Sequence, residues 1–269
     1  MNMPAGAPSL PHALPHFLLN HPALWRGSDL ARTRFDGVSS GSAALDAELP
    51  GGGWPVGVLT EILPAHEGIG ELRLLGPALA ALSAQGQHLL WVAPPYIPYA
   101  PALLAAGIDM ARLLVVRTRS ERDTLWTVEQ ALASNTCGAV LAWLPAARAS
   151  QAAAGAALSA ARYPEFRRLQ LAAERGQSLA FLFRPPECEN QSSPAALRIA
   201  LDTANGGLAV RLFKRRGGAL NRRVLLPASA LLARRAATMA MPAIALPRRN
   251  SALGFATHSP SDSLARVTP

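Results

Sequence analysis

Short apolar runs alternate with segments of helical period through the middle of the chain, and this alternation restricts the fold more than any other feature. The candidate strands are residues 57–62, 88–92, 113–116, 139–143 and 178–183, and helical patterns fall over 71–84, 100–106, 120–133 and 149–174. Short continuous apolar runs suit strands buried on both faces of a parallel sheet, with the helices as crossovers. Within 120–133, Leu125, Val128 and Leu132 recur at helical spacing while Arg122, Asp123 and Glu129 fall elsewhere on the cylinder, so one face is core and the other is wet. Repeated strand–helix units predict an α/β fold, a mainly parallel sheet flanked by helices and joined by right-handed crossovers. Three later runs, 196–201, 208–213 and 223–226, are separated by the turn signals ANGG and RRGGALN. They extend the sheet at one edge as antiparallel strands.

Composition sets the limits around this core. A chain of 269 residues that is 50% hydrophobic and 16% charged can bury a full core. The expected division is an N-terminal arm over 1–31, a core domain over 32–226 and a largely disordered tail over 227–269, with both ends flexible. The N-terminus lacks the charged start of a secretory signal and no run of 18 apolar residues occurs, which predicts a cytoplasmic protein with no membrane partner. Cys137 and Cys188 stand apart without a clustered histidine, and prolines interrupt the spacing of His12, His16 and His21, so no metal site is expected. Trp54, Trp91, Trp126 and Trp143 each lie beside an apolar run or a glycine turn and are expected to pack in or against the core.

The formal charge of +9 is carried almost wholly by arginine, with Lys214 the one lysine. Such a balance favours polyanionic partners, although a compositional bias toward arginine would look the same. Arg211, Lys214, Arg215, Arg216, Arg222 and Arg223 gather at the expected edge hairpin and are the candidates for DNA or partner binding. The alternative is a solvated basic edge that blocks strand-to-strand aggregation.

The stretch LPAHEGIGELRLLGPALAAL, residues 63–82, joins the first core strand to a helix as a phosphate-binding loop would. A working loop needs glycines so that backbone amides can wrap phosphates, a lysine to reach them and a hydroxyl for Mg²⁺. Gly68 and Gly70 are present; Glu71 takes the lysine place and Leu72 the hydroxyl place. Unit charges about 4 Å apart interact by roughly 4 kcal/mol at an effective dielectric near 20, so reversing the sign turns attraction into repulsion of similar size. A carboxylate at a helix N-terminus is stabilising. Glu71 is therefore expected to fill the anion site itself.

The run VSSGSAALDAELPGGGWPVGVLTEIL, residues 38–63, resembles the entry to a RecA-type ATPase core, and LLWVAPPYIPYAPALLAAGIDMARLLVV, residues 89–116, follows that family's second strand, helix and third strand. The resemblance covers about residues 32–183 and implies a RecA-like core. It places the catalytic glutamate at Pro95 and the magnesium-binding aspartate at or near Trp143, so it implies a degenerate ATPase site (Gly68, Gly70, Glu71, Pro95, Trp143), no enzyme activity and no cofactor. LPGGGWPVG, LTEIL and GIGELRLLGPALAAL, with LFKRRGG near the end of the core, are most similar to the ImuA family of RecA-like accessory proteins. That resemblance implies a nucleoid-associated adaptor in damage-induced (SOS) mutagenesis and translesion synthesis. Its implied partners are a Y-family polymerase homologue and an error-prone C-family DNA polymerase, with RecA and DNA as further candidates. A division inhibitor resembling SulA and an active RecA-type ATPase are the alternatives.

Overall fold

The computed structural model describes residues 36–144, 155–215 and 223–228, with the backbone alone over 155–162. The expected arm over 1–31, the tail beyond 228, Arg216 and Arg222 lie outside the described residues.

The described residues open with β1 (Gly37–Val38), the short helix α1 (Ala43–Asp46) and β2 (Trp54–Pro55), and β1 pairs antiparallel with β2. The core then alternates as β3 (Val58–Pro64), α2 (Glu71–Ala84), β4 (His88–Val92), α3 (Ala100–Ala105), β5 (Leu113–Val116), α4 (Glu121–Ala133), β6 (Cys137–Trp143), α5 (Gly155–Gly176) and β7 (Leu179–Phe183). It closes with β8 (Leu197–Ala204), β9 (Gly207–Lys214) and β10 (Val224–Pro227). The strands form one eight-stranded sheet in the order β10-β9-β8-β3-β7-β6-β4-β5. From β8 to β5 every neighbouring pair is parallel, and β8-β9-β10 is an antiparallel meander. The expected α/β class, parallel sheet and antiparallel edge are all present.

Alternation along the strands builds two cores. In β7, Leu179, Phe181 and Phe183 join Leu74, Leu75, Ala78 and Leu79 of α2 on one face. Ala180 and Leu182 join Leu125, Val128 and Leu132 of α4 and Phe166 and Leu169 of α5 on the other. A period of two in the strands meeting a period near 3.6 in the helices produces this layering. The start of α4 is set locally, because the Ser120 hydroxyl accepts the Asp123 amide at 3.1 Å and acids fill the first turn. The β8–β9 hairpin turns on two residues, Asn205 and Gly206, both with positive φ as a tight hairpin of this twist needs.

Two expectations are corrected. β5 is not buried on both faces, because it is the last strand of the sheet and Leu114 and Val115 are exposed. Trp126 does not pack in the core; it lies on the outer side of α4, 63% exposed, one position from Leu125 and therefore about 100° around the helix. Trp54 and Trp91 are buried as expected, and Trp143 is half-buried.

Candidate functional site

The loop between β3 and α2 turns through Gly68 at φ +78° and Gly70 at φ +117°, conformations that favour glycine. Its amides point inward. Gly68 N–H donates to Glu71 Oε1 and Gly70 N–H to Glu71 Oε2, each at 3.0 Å. Glu71 is the first residue of α2 and is buried. Successive amides and a helix N-terminus form a concavity that favours an anion, and here the chain's own carboxylate is the group the amides hold. Leu72, next in line, packs against the apolar cluster of α2.

Beside this loop, at the C-terminal ends of the parallel strands, lies a cleft of ≈ 460 Å³. Crevices outside the carboxyl ends of open α/β sheets are where such folds bind ligands. Pro95 and Trp143 both line it, with Glu67, Arg119 and Glu187 among the polar residues. Gly68, Gly70 and Glu71 are not part of its lining, so the structure brings together two of the five residues of the expected site and turns the other three onto one another. Trp143 stacks on Phe183 with centroids 4.7 Å apart and planes at 9°, and Trp91 leans on Trp143 at 5.7 Å. The region is thus an aromatic ledge; neither Pro95 nor Trp143 carries a carboxylate, and the acids among the lining residues are Glu67, Glu121 and Glu187. Next to the cleft, a hydrogen bond to the Glu67 carboxylate raises the pKa of the exposed Tyr96 hydroxyl. Among the described residues no group of His, Cys, Asp and Glu is arranged to hold a metal ion.

Sequence reasoning missed a buried ionic cluster behind the wall of this cleft, which Arg184 alone of its members lines. Glu61 in β3 is 0% exposed and accepts from Arg184 Nη1 at 3.2 Å on both oxygens and from Arg198 Nε at 2.8 Å. The Ser193 hydroxyl donates to it as well. Arg198 also donates to the carbonyls of Cys188 at 2.8 Å, Glu189 at 3.1 Å and Gln191 at 3.0 Å, and Arg184 Nη2 reaches Gln191 Oε1 at 2.7 Å. The loop over 184–196 is therefore tied down onto β3 and β8. Each guanidinium also covers a ring, Arg184 on Phe166 at 4.7 Å and Arg198 on Phe213 at 4.8 Å. The one available signal was a lone charged residue, Glu61, inside the run VLTEIL.

The candidate basic residues are dispersed among partners. Arg211 pairs with Glu189 at 2.6 Å, and this hydrogen bond holds the Glu189 carboxyl below its ordinary pKa. Lys214 donates to the Ser193 carbonyl at 2.6 Å; burial, with Arg198 adding, lowers its pKa. Arg215 donates to the Glu48 carbonyl and lies 3.3 Å from its carboxylate, and Arg223 lies 3.8 Å from Asp202. Arg211, Lys214, Arg215 and Arg223 thus brace β9 and β10 against neighbouring segments.

Comparison with known proteins adds a family context to this geometry. The family model described as SulA, cell division inhibitor SulA, matches residues 57–179, from the start of β3 to the start of β7. Protein ImuA of Caulobacter vibrioides is 35% identical over 165 residues, covering 58% of this chain and 60% of that protein. The chain is similar to both ImuA and SulA. Cell division inhibitor SulA of Photorhabdus laumondii is 29% identical over 126 residues, 47% of this chain and 63% of that protein. That of Edwardsiella piscicida is 30% identical over 114 residues, 42% of this chain and 60% of that protein. The chain thus spans about 60% of the length of these three relatives. Among the described residues no helix is long and apolar enough to cross a membrane.

Proposed function

We propose that this chain is a non-catalytic, RecA-like adaptor of damage-induced translesion synthesis, working at the nucleoid with a Y-family polymerase homologue and an error-prone C-family DNA polymerase. One observation carries the non-catalytic reading: the Glu71 carboxylate takes the amides of Gly68 and Gly70, where a phosphate-binding loop would hold nucleotide. An ATP γ-phosphate at these amides would meet a carboxylate of like charge. Pro95 and Trp143 add no acid to the cleft. Surface contacts then remain as the means of action, and the ImuA resemblance supplies the polymerase partners and RecA. DNA contact through the basic edge would have to compete with Glu189, Glu48 and Asp202 for Arg211, Arg215 and Arg223, so we assign these arginines first to holding the fold.

A second reading, a division inhibitor, is favoured by the SulA match over 57–179. Two assays on cells exposed to DNA damage separate the readings. Deletion should lower damage-induced mutation frequency, whereas overproduction should leave cell length unchanged; filamentation with normal mutagenesis would overturn the adaptor reading. Calorimetry with ATP and Mg²⁺ should show no tight binding, and phosphate release should stay at background. Steady turnover abolished by Gly70→Asp would refute the non-catalytic assignment.

A further inference from the structure

The two edges of the sheet are finished differently. At the β10 edge, Leu225 is exposed, but the strand ends at Pro227 and Arg223 faces Asp202. At the β5 edge, β4 pairs one side of the strand and no strand among the described residues pairs the other. Leu114 is 50% and Val115 41% exposed. Neighbouring side chains of a strand point to opposite faces, so the apolar surface wraps both sides of this edge. The crossover leading from β4 to β5 exposes Tyr96, Ile97 and Tyr99 as well. An unblunted apolar edge is an aggregation hazard that folded proteins ordinarily suppress, and it is also a template for strand addition.

Charge narrows the occupant. Arg112 precedes β5, and Arg117 and Arg119 follow it; among the described residues none of the three forms an ion pair. A second copy of the chain fits poorly. Antiparallel pairing of two β5 strands centred on Leu114 and Val115 would set Arg112 of each copy opposite Arg117 of the other, and like charges directly opposite are destabilising. The N-terminal arm fits no better, since its apolar run over 17–19 lies between His16 and His21 and its first acid is Asp29.

We propose that the free edge of β5 docks an extended segment of a partner protein in which apolar residues are flanked by acidic ones, adding a ninth strand to the sheet. Backbone pairing provides the affinity, and Arg112 and Arg117 at the two ends select the acidic flanks. This goes beyond the adaptor reading and needs neither a polymerase nor DNA.

The test uses the full chain and two labelled peptides, EEVIVVEE and KKVIVVKK, in fluorescence anisotropy with parallel amide exchange. The acidic peptide should bind about tenfold more tightly than the basic one, since like-charge juxtaposition opposes docking. It should also slow exchange over 113–116. Arg112→Glu with Arg117→Glu should reverse the preference without changing the melting temperature. Equal binding of both peptides, or of neither, overturns the proposal. So does slow exchange, in the free monomer, of those amides over 113–116 that point away from β4, which would mean that the chain covers its own edge. Protection that grows with protein concentration alone would assign the edge to a second copy and overturn it as well.

Discussion

Glu61 and Glu71 belong to the same strand–loop–helix unit, and both are buried, yet their charges are met in different ways. Glu61 is held by two guanidinium groups and a hydroxyl brought from β8 and from the loop between β7 and β8. Glu71 is held by backbone amides of its own loop. The first arrangement is a tertiary lock and the second is a local cap. Losing the lock strands two buried cations, whereas losing the cap leaves amides that water can reach.

Glu61→Gln should therefore cause the largest effect, a loss of about 3–5 kcal/mol, as expected for breaking a buried ion pair from one side. Urea denaturation reads it directly. Glu71→Ala should cost about 1 kcal/mol, the usual scale of a helix cap. If the two variants were equally destabilised, the distinction between lock and cap would fail. Glu71→Ala also sharpens the comparison, because its vacated amides should let inorganic phosphate raise its melting temperature more than that of the wild type.

The smallest effect belongs to Arg211 and Glu189, a pair at the rim of the same loop with side chains about one-third exposed. Because Arg211 lowers the folded pKa of Glu189, the stabilisation is present above the ordinary carboxylate range and fades as pH falls through the lowered value. Arg211→Ala should move the Glu189 titration, followed by NMR, upward, with a stability change within the ~0–1 kcal/mol of surface pairs. A Glu189 titration that stayed put would show that something other than Arg211 sets it.

The same contrast explains what could be read from the sequence. Strands β3 to β10 and helices α2 and α4 announce themselves through apolar runs, helical spacing and caps, all of which are local. The role of Glu71 was legible for that reason, since its partners lie within three residues. The Glu61 lock was not, because Arg184 and Arg198 are 123 and 137 positions away and nothing nearby in VLTEIL names them. Strand order was equally hidden: LLVV at 113–116 has the composition of a buried strand, and only its place at the end of the sheet exposes Leu114 and Val115. Trp126 was misjudged because apolarity was weighed without its angle on the helix.

Strand order also governs how the chain can be made. β3 is among the first core strands to be synthesised, but both its neighbours, β7 and β8, come much later. At translation rates of about 5–20 residues per second, the ribosome takes roughly 6–23 s to run from the end of β3 to the start of β7 at residue 179. Through that interval β3 has neither of its pairing partners, and Glu61 has neither arginine. A nascent chain truncated before β7 would carry an unpaired central strand and an unmet carboxylate. Folding of the sheet must therefore wait for its centre, and premature termination in this region should feed aggregation and chaperone capture instead of a partly folded domain.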